Sequence, residues 1–166
     1  MSEYNYKNCQ SLFGYSANVH IRCKGVCQLC GCGDGVLDFD LWRQMTVEHL
    51  IGKSQGGYLK QIKSEINDKF PNLTNEESEL FAKEIDAINT VTACQFCNST
   101  TSRDVSNVSM SDLMVSSNSQ SEILNSIELV CREILEKKRR KVEWKLTSVR
   151  KAFEELVVPK ISIEKE

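Results

Sequence analysis

Hydrophobic and polar positions change period along this chain, and each change predicts an element. Leu37, Phe39 and Leu41 alternate with Asp38 and Asp40, and Met45, Val47 and His49 alternate with Thr46 and Glu48. Alternation by twos predicts two strands around a tight turn at residues 42–44. From residue 58 the period lengthens. Leu59, Ile62, Ile66 and Phe70 recur at helical spacing until Pro71, and Thr74 with Glu77 forms the capping-box signature of a second helix. That second helix has Leu80, Phe81, Ile85 and Ile88 as its apolar face. A third helical pattern runs through Ile127, Val130, Ile134, the stem of Lys138, Val142, Leu146, Val149, Phe153 and Leu156. It predicts one long helix, capped by Ser119 with Glu122 and ending before Pro159. A short helix is expected near residues 11–21. Residues 23–35 hold four Cys and four Gly in a turn-rich run, and residues 52–57 read as a loop. The seven Ser of residues 106–121 suggest a loose connector.

At 166 residues the chain can bury a real core, so its eight Cys are not needed in place of one. No apolar run approaches the roughly 18 residues of a membrane span, and the N-terminus lacks a secretory pattern. Both features lead to the expectation of a cytoplasmic protein with no membrane partner. There thiols stay reduced, and clustered Cys hold metal more often than they form disulfides. A net charge of −2 gives no argument for nucleic acid. The distribution does. Residues 137–151 carry eight basic side chains and one acid, whereas residues 65–86 carry seven acids and two lysines. The first segment suits a polyanion and the second should face away from it. Its candidate phosphate contacts are Lys137, Lys138, Arg139, Arg140 and Lys141.

Cys27 and Cys30, like Cys94 and Cys97, form a C-x-x-C pair followed by a turn-compatible residue, Gly31 or Asn98. Two thiolates at that spacing can bind one tetrahedral ion. The pairs lie far apart in sequence, so one structural zinc per chain would staple two distant segments. Cys23 and Cys32 are close enough to compete as ligands, but the paired spacing favours the other four.

Between the knuckles, Val47-Glu48-His49-Leu50-Ile51 runs into a Gly-rich loop, and Asn89 precedes the second knuckle and its Asn98. In this order, over residues of about 20 to 105, the sequence resembles the HNH nucleases, the zinc-knuckle branch of the ββα-metal fold. The resemblance implies that His49 is the general base that deprotonates water. It implies that Glu48 and Asn98 hold a magnesium or manganese ion, and that Asn89 braces the loop and orients the His. A neutral imidazole suits the base near pH 7, and a hard cation suits the scissile phosphate. Lys53 and Arg103 are candidate phosphate ligands beside the site. Glu48 stands where the family more often has Asp, Gly52 replaces a frequent Pro, and the interval from His49 to Asn89 is longer than usual.

The expected fold is α+β: a zinc-stapled ββα core in residues 1–105, with a helical insertion at 58–88 packing outside the metal core. A connector at 106–121 and a helical arm at 122–166 complete it. The expected function is metal-dependent hydrolysis of DNA phosphodiester bonds, in nicking, restriction or phage defence. Rival readings are a catalytically silent zinc module that binds nucleic acid or a protein, and a nuclease subunit of a larger assembly. The long C-terminal helix is the candidate surface for a protein partner or homo-oligomer.

Overall fold

A computed structural model describes residues 14–101 and 107–164. The fold is α+β, with one small sheet among helices. Strands β1 (Met45–His49) and β2 (Thr90–Cys94) pair antiparallel, with Met45 opposite Cys94 and His49 opposite Thr90. The expected hairpin within residues 37–49 does not form. Asp38 instead accepts a hydrogen bond from the Leu41 backbone and caps a single helical turn, α2 (Phe39–Trp42). The apolar positions of that stretch face solvent, Leu37 at 91% exposure and Phe39 at 71%. Alternation without a surface to bury does not hold a strand. The Thr- and Val-rich segment TVTAC supplies the partner instead, and the intervening residues fold out as helices.

Those helices are α3 (Leu59–Lys69) and α4 (Asn75–Asn89), the latter with both hydrogen bonds of the expected Thr74–Glu77 capping box. Ile62, Ile66, Phe81, Ala82 and Ile85 are buried, but Leu80 is exposed, so the core face of α4 is rotated from the expected one. The Ser-rich stretch is not a loose connector throughout. It contains α6 (Met110–Ser116), capped at both polar positions by Ser109 and Asp112. Met110, Leu113 and Met114 of α6 join α3, α4 and the first half of α7 (Gln120–Ala152) in the larger hydrophobic core. Lys69 of α3 donates to the Met114 carbonyl and ties the two helices together. The insertion supplies five of the fourteen buried residues of this core, and none of its residues belongs to the Cys cluster.

A smaller apolar cluster, Cys27, Leu29, Met45, Ala93, Cys97 and Val142, sits where the Cys-rich segments meet the sheet. Helix α1 (Gly14–Arg22) covers one face of the sheet, and α5 (Gln95–Thr101) with α7 covers the other. The long helix does not end before Pro159. A five-residue π turn, Phe153–Val157, leads into α8 (Val158–Glu164). Proline removes one backbone donor and crowds the preceding turn, and the widened turn lies where that crowding falls. Beyond Val142 this arm is largely exposed, including Trp144, Val149, Phe153, Leu156 and Ile161.

Candidate metal centre and active site

Cys27 and Cys30 flank a tight turn closed by the Gly31 backbone donating to the Cys27 carbonyl, with Gly31 at φ +78°. Cys94 ends β2 and Cys97 lies in the first turn of α5. The Gln28 backbone donates to the Thr92 carbonyl and docks the first knuckle on β2. The result is four sulfurs within 4.8 Å of one another. Zinc–sulfur bonds of about 2.3 Å in a tetrahedron set sulfurs about 3.8 Å apart. The Cys30 and Cys94 sulfurs are 3.9 Å apart. This cluster can hold a metal ion such as zinc. Cys23 and Cys32 are not in it. The Cys23 sulfur accepts from the Thr92 backbone at 3.4 Å. Cys9 and Arg103 lie outside the described residues.

Asn89, fully buried at the end of α4, braces the loop after β1. Its Oδ1 accepts from the Ile51 backbone at 2.7 Å, and its Nδ2 donates to the Ile51 carbonyl at 3.0 Å and the Gly57 carbonyl at 3.1 Å. Cys131 of α7 also reaches this oxygen, at 3.5 Å. Gly57 is required by the same contact, because a Cβ there would lie 1.7 Å from the Ile51 oxygen.

Adjacent residues of a strand point to opposite faces, which divides the expected active site. Met45, Val47 and His49 share a face with Thr90, Thr92 and Cys94, while Thr46 and Glu48 share the other with Val91 and Ala93. His49 stands 6.4 Å from the Tyr58 ring, centroid to centroid, and Lys53 lies over that same ring. Burial first, and the nearby Lys53 charge second, push the His49 imidazole down to about 4, so it is neutral at pH 7. Across the sheet from His49, Arg22 donates to the Thr90 carbonyl at 3.0 Å and to its hydroxyl at 2.9 Å.

On the other face, α5 brings Asn98 against β1, where its Nδ2 donates to the Thr46 hydroxyl at 2.9 Å and more weakly to the Val47 carbonyl. Glu48 pairs with Lys138 of α7 at 2.5 Å, and both side chains are nearly buried, at 6% and 5% exposure. Lys138 also reaches the Thr101 carbonyl at the end of α5. Glu48 and Asn98 therefore lie on the same side of β1, but they do not make a ready-made divalent-ion site. The carboxylate already has a cation in Lys138.

The same pairing corrects the nucleic-acid reading of Lys138, which faces inward. Arg139 donates to the Gln28 carbonyl at 2.7 Å and pairs with Glu136, and Lys145 donates to the Thr100 carbonyl. Three of the eight basic residues thus fasten α7 to the knuckle and to the C-terminal carbonyls of α5, where positive charge is favourable. Lys137, Arg140 and Lys141 remain exposed.

The inward role of Lys138 escapes a sequence reading, as do Arg22 and His20 altogether. Lys138 looks like one member of a charge run. Arg22 carries no motif. His20, one of only two His, is buried with its Nδ1 2.7 Å from the Thr92 hydroxyl and edge-on to Trp42. Its burial lowers its proton affinity. Only its apolar neighbours Val19 and Ile21 hint at that placement. No family model, curated protein or solved structure matches the chain. No helix among the described residues is long and apolar enough to cross a membrane.

Proposed function

We propose that this protein is an HNH-type endonuclease that hydrolyses DNA phosphodiester bonds, built on a ββα core stapled by one structural zinc. The observation that carries the reading is the neutral His49 at the end of β1, beside a Gly-rich loop held by the buried Asn89. In this reading water attacks phosphorus, its proton passes to His49, and the phosphorus–oxygen bond to the leaving strand breaks. The leaving oxygen takes its proton from solvent. Lys53, adjacent to the imidazole, and Arg22, anchored on Thr90, bring positive charge to the phosphate. Glu48 and Asn98 shape the opposite face of β1, and no step is assigned to a magnesium or manganese ion there. The four sulfurs hold the zinc, whose part is to fasten β2 and α5 to the first knuckle. Lys137, Arg140 and Lys141 are the exposed basic side chains of α7 best placed for DNA phosphates. The exposed apolar positions of the C-terminal arm supply the surface for a protein partner or a second copy. Relaxation of supercoiled plasmid by the purified, zinc-loaded chain, with and without added magnesium, tests the activity.

A second reading has a specific observation in its favour. The buried Glu48–Lys138 pair suits a zinc module that binds nucleic acid or a protein without cutting. Binding to duplex DNA with no cleavage in either arm of the plasmid experiment would select it.

A further inference from the structure

We infer that Lys138 is a built-in cation, occupying the position at Glu48 that a divalent ion would otherwise take. The inference rests on the placement of Glu48 within the proposed site, but not on the hydrolytic chemistry itself.

Four observations lead to it. The Lys138 ammonium lies 2.5 Å from a Glu48 carboxylate oxygen, with both side chains nearly buried. A magnesium or manganese ion bound to that carboxylate needs an oxygen at about 2.0–2.1 Å. On that same oxygen it would sit only about 4 Å from the ammonium, where two poorly screened positive charges in a dry site repel one another strongly. Second, the ammonium is not placed by chance of rotamer. Lys138 lies four residues after Ile134 and four before Val142, both buried, so its backbone is fixed against the body of the protein. Third, its second contact is the Thr101 carbonyl at 3.4 Å, an oxygen at the end of α5 that a hard cation would itself attract. Lys138 therefore gathers a carboxylate and a carbonyl from two elements, as a bound ion would. Fourth, no buried side-chain oxygen or nitrogen among the described residues lacks a hydrogen-bond partner, so no buried ligand atom is left waiting for an ion.

The consequence is a site with fixed charge. A lysine cannot be washed out by a chelator, and it brings one charge where a divalent ion brings two. Glu48 is then a neutralised structural carboxylate, and among the described residues the four-Cys cluster is the side-chain group that can hold a metal ion.

Manganese titration of the zinc-loaded full chain, followed by electron paramagnetic resonance, tests this. Wild type and Glu48→Gln should both bind no manganese stoichiometrically. Lys138→Met should bind one ion per chain, and the added Glu48→Gln change should abolish it. The Lys138→Met protein should also melt at a higher temperature with manganese present, whereas wild type should not shift. Stoichiometric manganese in wild type that Glu48→Gln removes would overturn the inference. So would a folded Lys138→Met protein that binds none. If Lys138→Met fails to fold, the comparison of wild type with Glu48→Gln still decides. Failure of the hydrolytic reading registers separately, in plasmid cleavage, and leaves these binding results intact.

Discussion

Lys138 of the long helix reaches across 90 residues of sequence to hold Glu48 of the first strand at 2.5 Å, in a nearly dry contact. Removing one member of such a pair strands the other charge, at a cost of about 3–5 kcal/mol, whereas removing both is often close to neutral. Lys138→Ala should therefore destabilise the fold by about that amount in chemical denaturation. The double variant Glu48→Gln with Lys138→Met should recover most of the loss. Equal stabilities for wild type and Lys138→Ala would mean that the pair is not formed.

The pH dependence follows from His49. Its folded-state value of about 4 is below the ordinary 6.5, so the unfolded chain binds more protons between those limits. His49 therefore contributes stability that is complete above pH 6.5 and is lost as pH falls toward 4. His20 is shifted in the same direction by burial and adds to the effect. Cleavage should stay near its plateau down to about pH 5.5, where an unshifted imidazole would already have lost about tenfold of its neutral form. Removing the Lys53 charge should move the acidic limb to higher pH. A limb centred near 6.5 in wild type would contradict this environment for His49.

The loop after β1 depends on one amide and one glycine. Asn89→Ala leaves two Ile51 groups and the Gly57 carbonyl short of partners, which should cost about 3 kcal/mol or more. Gly57→Ala should be at least as damaging, because its Cβ has no room against the Ile51 carbonyl. Thermal unfolding of both variants checks this. Wild-type melting temperatures would show that the loop does not rely on these contacts.

Structural zinc sites contribute on the order of 10–16 kcal/mol of apparent binding energy. Cys94→Ser takes one sulfur from the cluster, at the junction of β2 and α5. The variant should lose zinc and cooperative unfolding together, while Cys32→Ser should retain both. Metal analysis beside circular dichroism makes the comparison, and a folded wild-type chain without zinc would refute the assignment.

Local signals in the sequence carried much of this architecture. The two Cys pairs, the Thr74 capping box and the helical periods of residues 59–69 and 75–89 each report on neighbours a few positions away. What failed was non-local. The alternation at residues 37–41 was as regular as that at 45–49, but only the latter had a partner, and it lay 40 residues downstream across two helices. Lys138 could be placed on an apolar helix face from its spacing, yet no spacing reveals that a strand carboxylate would meet it there. The Ser-rich stretch concealed α6 because Ser109 and Asp112 act as caps, so polar residues marked the start of a helix and not its absence. For the site, the order of Glu48, His49, Asn89 and Asn98 was legible, whereas the division of Glu48 and His49 between two faces emerged only with the register of β1 on β2.

In the proposed reaction His49 removes a proton from water during phosphodiester hydrolysis. The most direct test is the initial rate of supercoiled plasmid nicking by wild type and His49→Ala, prepared alike and matched for zinc content and DNA affinity. A loss of about 10²–10⁴-fold is expected in the variant, with zinc and DNA binding retained. Nicking by His49→Ala at the wild-type rate would contradict it.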